Sequence, residues 1–188
     1  TLALGIEQVL RHHEKGPIAV NLSSSRAIDF VAGRHNCPVT RTRIGEINVS
    51  TAMLEIHAVA GGEPNGGLII PAIHPCRDSF VAMAVLLELM ALSGQSIQSL
   101  RAEIPEYHVI KDKVSIRGDQ APGILRKLRR HFADEKLNVI DGVFADLGDS
   151  WFHVRPSNTE SVIRVLAEAP TAPEAQARVD MLKALIAS

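Results

Sequence analysis

The sequence predicts an α/β domain with a layered, mixed sheet, followed by a small α+β domain with an antiparallel sheet. In the first half, short apolar runs typical of buried strands alternate with segments of helical spacing, and this βαβ rhythm favours a partly parallel sheet. In the second half, short strands follow one another through tight turns, which favours antiparallel pairing. The change of character near Lys111 predicts domains at 1–111 and 112–188.

The elements of the first domain follow from apolar periodicity and from residues that start or stop helices. Apolar residues at helical spacing over 2–14 predict a helix that Pro17 ends. Strands at 18–22 and 39–43 flank a helix that starts at Ser24 or Ser25. The remaining elements are a helix at 50–56, a glycine-rich loop at 61–67, a strand at 68–70, a helix from Asp78 to Leu92 and a helix at 96–103.

The second domain is predicted to pair its strands through turns and to cover them with two helices. It opens with an extended segment at 107–116 and an amphipathic helix at 119–132. Thr171 and Glu174 form a capping box that starts the last helix. The predicted strands between these helices lie at 139, 143–147, 151–154 and 162–167.

The composition argues against several classes of function. Lys and Arg number 20 and Asp and Glu 21, so the formal charge of −1 provides no field for nucleic acid or an acidic membrane surface, and any anion must be held locally. The longest apolar stretch, 80–92, is interrupted by Glu88 and is shorter than the roughly 20 residues of a membrane span. Cys37 and Cys76 form no disulfide framework, which favours a cytoplasmic location.

Two further patterns have simple structural explanations. The basic run at 126–130 interleaves with Leu125 and Leu128, so a solvated helix face is expected, with nucleic-acid binding as the alternative. His74 and Cys76 are two potential metal ligands, which is too few for a closed zinc site. No metal site and no nucleic-acid or membrane partner is therefore expected for this chain.

A loop that follows a predicted strand suits a phosphate group. The strand at 151–154 leads to Arg155, which can make a planar, two-pronged contact to phosphate. The Ser-Asn-Thr turn at 157–159 can aim backbone N–H groups and hydroxyls at the same point. The alternative is an ordinary Pro-Ser-Asn turn with a surface arginine.

The glycine-rich loop at 61–67 suits sugar hydroxyls. Its glycines allow the backbone to approach a ligand, and they leave Glu63 and Asn65 as the side chains with polar reach. A carboxylate can accept hydrogen bonds from two neighbouring hydroxyls. The alternative is a surface loop with an incidental carboxylate.

Taken in order, these motifs resemble the α-D-phosphohexomutases. The loop at 61–67, the segment Arg41–Val49 and the Arg77-Asp78 pair are similar to the third domain of that family. The run Arg155–Glu160, followed by Ile163-Arg164-Val165, is similar to the fourth domain. The resemblance covers essentially the whole chain.

The resemblance implies that the parent protein is an isomerase, a phosphomannomutase or phosphoglucomutase. Such enzymes interconvert hexose 1-phosphate and hexose 6-phosphate through a phosphoserine, a bisphosphorylated intermediate and bound Mg²⁺. The family's Ser-His-Asn-Pro phosphoserine loop and Asp-x-Asp-x-Asp-Arg metal loop are absent from this sequence. We therefore expect a substrate-binding fragment that is inactive alone, with Mg²⁺ held by the missing N-terminal domains and no cofactor in this chain. Its expected partners are hexose phosphate and those missing domains.

The resemblance also implies a set of site residues. Some branches of the family carry histidines at the positions of Glu46 and Gly67. Glu46 is a candidate general base if a hydroxyl lies within reach, and the alternative is a carboxylate that caps or pairs locally. The expected substrate-binding residues are Glu63 and Asn65 for the sugar, Arg155, Ser157, Asn158 and Thr159 for the phosphate, and Arg43.

Two questions stay open at the level of sequence. A non-catalytic binding module, either a phosphosugar sensor or a domain that contacts nucleic acid or protein, is the alternative function. By the resemblance, Glu63 would contact hydroxyls common to mannose, glucose and glucosamine, and the sequence identifies no residue for the 2-position.

Overall fold

The computed structural model describes residues 1–117, 119–157 and 159–188 and divides them into two units, Thr1–Pro105 and Glu106–Ser188. The predicted boundary at Lys111 falls inside a strand, His108–Ser115, that pairs along its whole length with Val162–Ala169. The whole strand therefore lies in the second unit, and the division precedes it. The predicted fold classes, a mixed-sheet α/β unit followed by a unit with an antiparallel sheet, are confirmed.

The first unit contains a four-stranded sheet in the order β2-β1-β3-β4. β1 pairs in parallel with β2 on one side and with β3 on the other, and β3 pairs antiparallel with β4. Because the chain runs outward from β1 in both directions, a crevice is expected between the carboxyl ends of β1 and β3. The strands are β1 (Ile18–Asn21), β2 (Val39–Thr42), β3 (Ala60–Gly62) and β4 (Leu68–Ile69).

Helices cover both faces of this sheet. Ile18 and Val20 of β1 pack into a large apolar cluster with α1, α2 and α4, whereas Ala19 between them packs against Val49 and Met53 of α3. This alternation is the two-residue period of a strand, and it produces three layers. The helices are α1 (Leu2–Gln8, continued by a π-helical turn at Val9–His13), α2 (Ala27–Arg34), α3 (Glu46–Glu55), α4 (Ser79–Ser93) and α5 (Ile97–Ala102).

Local backbone chemistry explains where the first unit differs from prediction. The prediction of a loop from Gly61 was wrong, because Gly61 and Gly62 belong to β3. A Cβ on Gly61 would lie 2.1 Å from the Ala19 carbonyl oxygen, so only glycine lets β3 approach β1 this closely. α3 begins at Glu46 rather than at residue 50, after Gly45 at φ 119°.

The second unit contains a five-stranded antiparallel sheet in the order β5-β9-β8-β7-β6. Leu128 of α6 and Val179 of α7 pack with Phe152 and Val154 of β8 in one apolar cluster. The predicted capping box of α7 at Thr171 is present. The elements are β5 (His108–Ser115), α6 (Ala121–His131), β6 (Lys136–Asn138), β7 (Val143–Asp146), β8 (Trp151–Pro156), β9 (Val162–Ala169) and α7 (Ala172–Ala187).

Side chains on the other face of β8 form a buried polar layer. Trp151 stacks on Phe144 at 5.6 Å between ring centroids and donates its indole N–H to Glu168 Oε1 at 2.8 Å. His153 is fully buried and donates from Nε2 to the carbonyl oxygen of Asp141. Because a carbonyl only accepts, this contact fixes the proton on Nε2.

Exposed side chains and helix lengths bear on three of the expectations from sequence. Arg126, Arg129 and Arg130 are exposed on α6 while Leu128 is buried, which is the predicted solvated face. Val139, predicted as strand, lies just beyond β6 and is half exposed. Among the described residues, no helix combines the length and the apolar character needed to cross a membrane.

Burial of His153 predicts a pH-dependent stability of the second unit. Desolvation lowers the pKa of His153 below its ordinary value of about 6.5. Between about pH 6.5 and the lower pKa of the folded state, His153 is therefore protonated in the unfolded chain but not in the folded chain. The free energy of unfolding should fall by up to about 1.4 kcal/mol per pH unit as the pH drops through that window.

Denaturant titrations between pH 5 and 7.5 measure this dependence. His153→Gln should flatten it, because an amide donor has no proton to gain. The exposed His131→Gln, in the same unit, should leave the slope intact. Equal slopes in the unsubstituted chain and His153→Gln would contradict the assignment.

Candidate functional site

A buried carboxylate, Glu63, lies where the carboxyl ends of β1 and β3 meet. Asn21, the last residue of β1, donates from Nδ2 to Glu63 Oε1 at 2.9 Å, and the Gly45 N–H donates to the same oxygen at 3.1 Å. The Glu63 side chain is only 11% exposed, so these charge-assisted hydrogen bonds offset its desolvation. Oε1 is thus engaged by the protein, while Oε2 lies 3.9 Å from Arg77 Nη1.

Asn21 is itself held in one orientation. Its Oδ1 accepts hydrogen bonds from the Ser23 N–H at 3.0 Å and from Ser24 Oγ at 3.3 Å, so its amide nitrogen faces Glu63. The sequence analysis missed both Asn21 and Gly45 as partners of the carboxylate. The available signal was a polar residue that ends a buried strand, since ligand sites in α/β sheets lie at the carboxyl ends of strands.

The loop after β3 folds back on itself. The Gly66 N–H donates to the Glu63 carbonyl at 3.2 Å, and the Glu63 N–H donates to the Gly67 carbonyl at 3.2 Å. Asn65 Oδ1 accepts from the Gly67 N–H at 3.1 Å, which leaves the Asn65 amide N–H₂ as the group with donor capacity. Gly62 has φ 148°, and a Cβ there would lie 2.0 Å from the Gly67 carbonyl oxygen, so the closed loop requires glycine.

An open cleft of about 430 Å³ lies beside this loop. Glu46, at the start of α3, accepts from the Arg77 N–H at 2.8 Å and from Arg77 Nε at 2.7 Å. The Arg77 backbone N–H and then its guanidinium lower the pKa of Glu46, and Glu46 raises the pKa of Arg77. The cleft is lined by Glu46, Asn65, Gly66, Gly67, Arg77 and Ser79.

This ion pair bears on the proposed role of Glu46. A carboxylate held by a guanidinium is a weaker proton acceptor than a free one, so the geometry favours the local-pairing alternative of the sequence analysis over a general base. Arg77, noted in the sequence only as half of a motif, is a residue of the cleft that sequence reasoning gave no role.

The two arginines that flank Thr42 have different surroundings. Arg41 donates to the Ser24 carbonyl at 2.7 Å and pairs with Asp29, so it ties the loop after β1 to α2. Arg43 is exposed, is not among the cleft residues, and its guanidinium makes no hydrogen bond or ion pair within the described part of the chain. Of the residues predicted to bind the sugar, Asn65 lines this cleft, whereas Arg43 does not.

Arg155, near the end of β8, has a side chain that is only 13% exposed. Its Nε lies 3.4 Å from both carboxylate oxygens of Asp141. Gly142 allows this approach, because it has φ 88° and a Cβ there would lie 2.3 Å from the Val154 carbonyl oxygen. Asp141 thus holds one edge of the guanidinium, and sequence reasoning did not identify this partner.

Ser157 organises the turn that follows. Its N–H donates to the Val162 carbonyl at 2.9 Å, and its Oγ accepts from the N–H groups of Thr159 at 3.4 Å and Glu160 at 3.3 Å. The Thr159 and Glu160 N–H groups thus converge on one oxygen, a geometry that occurs in ordinary serine turns and that can also hold an anion. Asn158, the remaining predicted residue, lies outside the described residues.

Charges around this turn are also ordered. Lys113 Nζ lies 3.1 Å from Glu160 Oε1, and Arg164 Nη2 lies 3.2 Å from Oε2. The hydrogen bond from Lys113, followed by its charge, lowers the pKa of Glu160. Counting Arg155, Lys113 and Arg164 against Glu160 and Asp141, the surroundings of the turn carry one excess positive charge.

Comparison with known proteins agrees with these two units. Residues 1–107 match the family profile described as phosphoglucomutase/phosphomannomutase, alpha/beta/alpha domain III, and residues 111–185 match the profile of the C-terminal domain of that family. A protein of Methanopyrus kandleri named as a probable phosphoglucosamine mutase is 36% identical over 89% of this chain and 38% of its own length. A phosphoglucomutase/phosphomannomutase of Thermococcus kodakarensis is 33% identical over 96% of this chain and 40% of its own.

Solved structures show the same fold. A phosphoglucomutase/phosphomannomutase family protein of Burkholderia thailandensis superposes with a TM-score of 0.77 at 19% identity, over 98% of this chain and 40% of its own. The N-acetylphosphoglucosamine mutase of Aspergillus fumigatus, solved with GlcNAc-6P and magnesium, superposes with a TM-score of 0.68 at 15% identity, over 98% of this chain and 45% of its own.

This chain spans about two fifths of the length of the curated relatives it matches. Those relatives and structural neighbours are phosphohexomutases, which are isomerases. From the two profiles and the relatives together, the chain belongs to the phosphoglucomutase/phosphomannomutase family and contains its domain III and its C-terminal domain.

Proposed function

We propose that this chain binds a hexose phosphate as the substrate-holding part of a phosphosugar mutase that interconverts hexose 1-phosphate and hexose 6-phosphate. In the proposed reaction, a phosphoserine outside this chain transfers the phosphoryl group, and a bisphosphorylated sugar turns over between half-reactions. The observation that carries the proposal is the buried carboxylate of Glu63, with one oxygen bonded by Asn21 and Gly45 and the other beside a polar cleft.

The hydrogen-bond capacity of the first unit suits sugar hydroxyls. Glu63 Oε2 is an acceptor, the Asn65 amide is a donor, and hydroxyls can meet both demands. Because Asn21 and Gly45 fix the carboxylate before any ligand arrives, little conformational entropy remains to be lost on binding. We propose that Glu63 and Asn65 contact the sugar hydroxyls, and that Arg43 is a further substrate-binding residue.

The second unit suits the phosphate that is not being transferred. Asp141 holds Nε of Arg155, no described residue bonds its terminal nitrogens, and the Thr159 and Glu160 N–H groups converge at Ser157. A phosphate oxygen would form stronger, charge-assisted bonds with these donors than the neutral Ser157 hydroxyl does. A site that contacts only the phosphate group would bind the bisphosphorylated intermediate by either its 1-phosphate or its 6-phosphate.

We assign no metal ligand to this chain. Among the described residues, no group of three or more His, Cys, Asp and Glu side chains is placed to hold a metal ion. The magnesium bound in the Aspergillus fumigatus structure is a property of that protein. In the proposed reaction, Mg²⁺ is held by residues outside this chain.

Removal of Arg155 should weaken binding of both inorganic phosphate and glucose 1-phosphate. Loss of a charge-assisted contact is expected to raise Kd about tenfold or more for each ligand. Calorimetric titration of Arg155→Ala tests this, with the exposed Arg130→Ala as the control for a lost positive charge. Equal Kd values for Arg155→Ala and the unsubstituted chain would show that the phosphate grip is assigned wrongly.

Substitution of Glu63 should separate sugar binding from phosphate binding. In Glu63→Gln the amide oxygen can still accept from Asn21 and Gly45, while the amide nitrogen replaces the Oε2 acceptor. The Kd for glucose 1-phosphate should rise about tenfold, and the Kd for inorganic phosphate should stay unchanged. The exposed Glu55→Gln is the matched control, and an unchanged Kd for glucose 1-phosphate in Glu63→Gln would remove Glu63 from the sugar site.

A further inference from the structure

We propose that Arg77 is a sugar-binding residue of the cleft and that position 67 is glycine in order to accommodate it. The inference rests on the proposed hexose phosphate function and assigns a residue that the motif comparison left without a role. Arg77 links the glycine-rich loop, the start of α3 and the segment before α4, so one side chain connects three parts of the cleft wall.

Arg77 is held rigidly on one side only. Glu46 accepts from its backbone N–H and from Nε, which fixes both ends of the aliphatic stem. The guanidinium of Arg77 has five N–H groups, and Nε–H donates to Glu46. The four N–H groups on Nη1 and Nη2 make no hydrogen bond to any described residue. The side chain is 39% exposed and lines the cleft, so these donors are accessible to a ligand.

The distance from Arg77 to Glu63 favours a shared ligand over a direct bond. Nη1 and Oε2 are 3.9 Å apart, which is too long for a hydrogen bond. A sugar hydroxyl placed beside both groups can donate to the carboxylate and accept from the guanidinium, because a hydroxyl does both at once. The pair is therefore complementary to a neutral hydroxyl, whereas a phosphate would be repelled by the carboxylates of Glu46 and Glu63.

Gly67 provides the independent observation. Its φ lies outside the left-handed region, so its backbone does not require glycine. A Cβ at Gly67 would lie 2.2 Å from Arg77 Cδ and 2.8 Å from Cγ, atoms in the middle of the stem that Glu46 holds. Any side chain at this position would displace Arg77, so the absence of a side chain is explained by the arginine rather than by the turn.

A double-substitution cycle tests the inference through the Kd for glucose 1-phosphate. Arg77→Ala and Gly67→Ala should each raise Kd about tenfold, and the double variant should match Arg77→Ala alone, because the added methyl group then displaces nothing. Arg77→Lys should recover part of the affinity, since it keeps the charge without the planar fork. Gly33→Ala, on an exposed helix position with open space around it, is the control and should bind normally.

The possible results separate this inference from the function on which it rests. Normal glucose 1-phosphate binding by Arg77→Ala, even with a lowered thermal unfolding midpoint, would show a purely structural ion pair and overturn the inference alone. Additive losses in the double variant would overturn the link to Gly67. Absence of glucose 1-phosphate binding by the unsubstituted chain would overturn the proposed function and this inference together.

Discussion

The hydrogen bond between Asn21 and Glu63 is the constraint on which the first unit depends. A carboxylate with little solvent access is stable only with fixed donors, and the structure provides one from the end of β1 and one from the backbone before α3. These two bonds fix the positions of the carboxyl ends of β1 and β3 relative to each other and to the start of α3. The same bonds leave one carboxylate oxygen for a ligand, so the element that organises the fold is also the proposed sugar contact.

The glycines of this region answer three different physical demands. Gly61 is required by contact with the neighbouring strand, Gly62 by a positive φ and by the loop that closes over it, and Gly67 by the stem of Arg77. From the sequence alone, one explanation was expected for all of them, namely that glycine lets the backbone approach a ligand. The sequence shows that glycine is concentrated at 61–67, whereas the reason at each position is a specific neighbouring atom.

Much of the architecture was predictable because it depends on local patterns. The strands of the second unit other than β6, the Asp78 cap of α4 and the capping box at Thr171 all follow from short-range spacing. The Asn21 and Asp141 contacts were not predictable, since each joins segments brought together only by strand order or by a loop crossing. Both partners are common polar residues outside any motif, and only the fold distinguishes them from surface asparagine and aspartate.

The two loops differ in charge in a way that matches two parts of one ligand class. In the first unit, Glu46 and Glu63 outnumber Arg77, so the cleft disfavours an anion and suits neutral hydroxyls. In the second, Arg155 and its neighbours retain a positive excess, and two N–H groups converge on a weak acceptor that phosphate can replace. A free sugar would satisfy only the groups of the cleft in the first unit, and a free phosphate only the groups around Arg155 in the second. The electrostatic contrast therefore supports a hexose phosphate more strongly than either loop does alone, and it does so in a chain whose net charge favours neither.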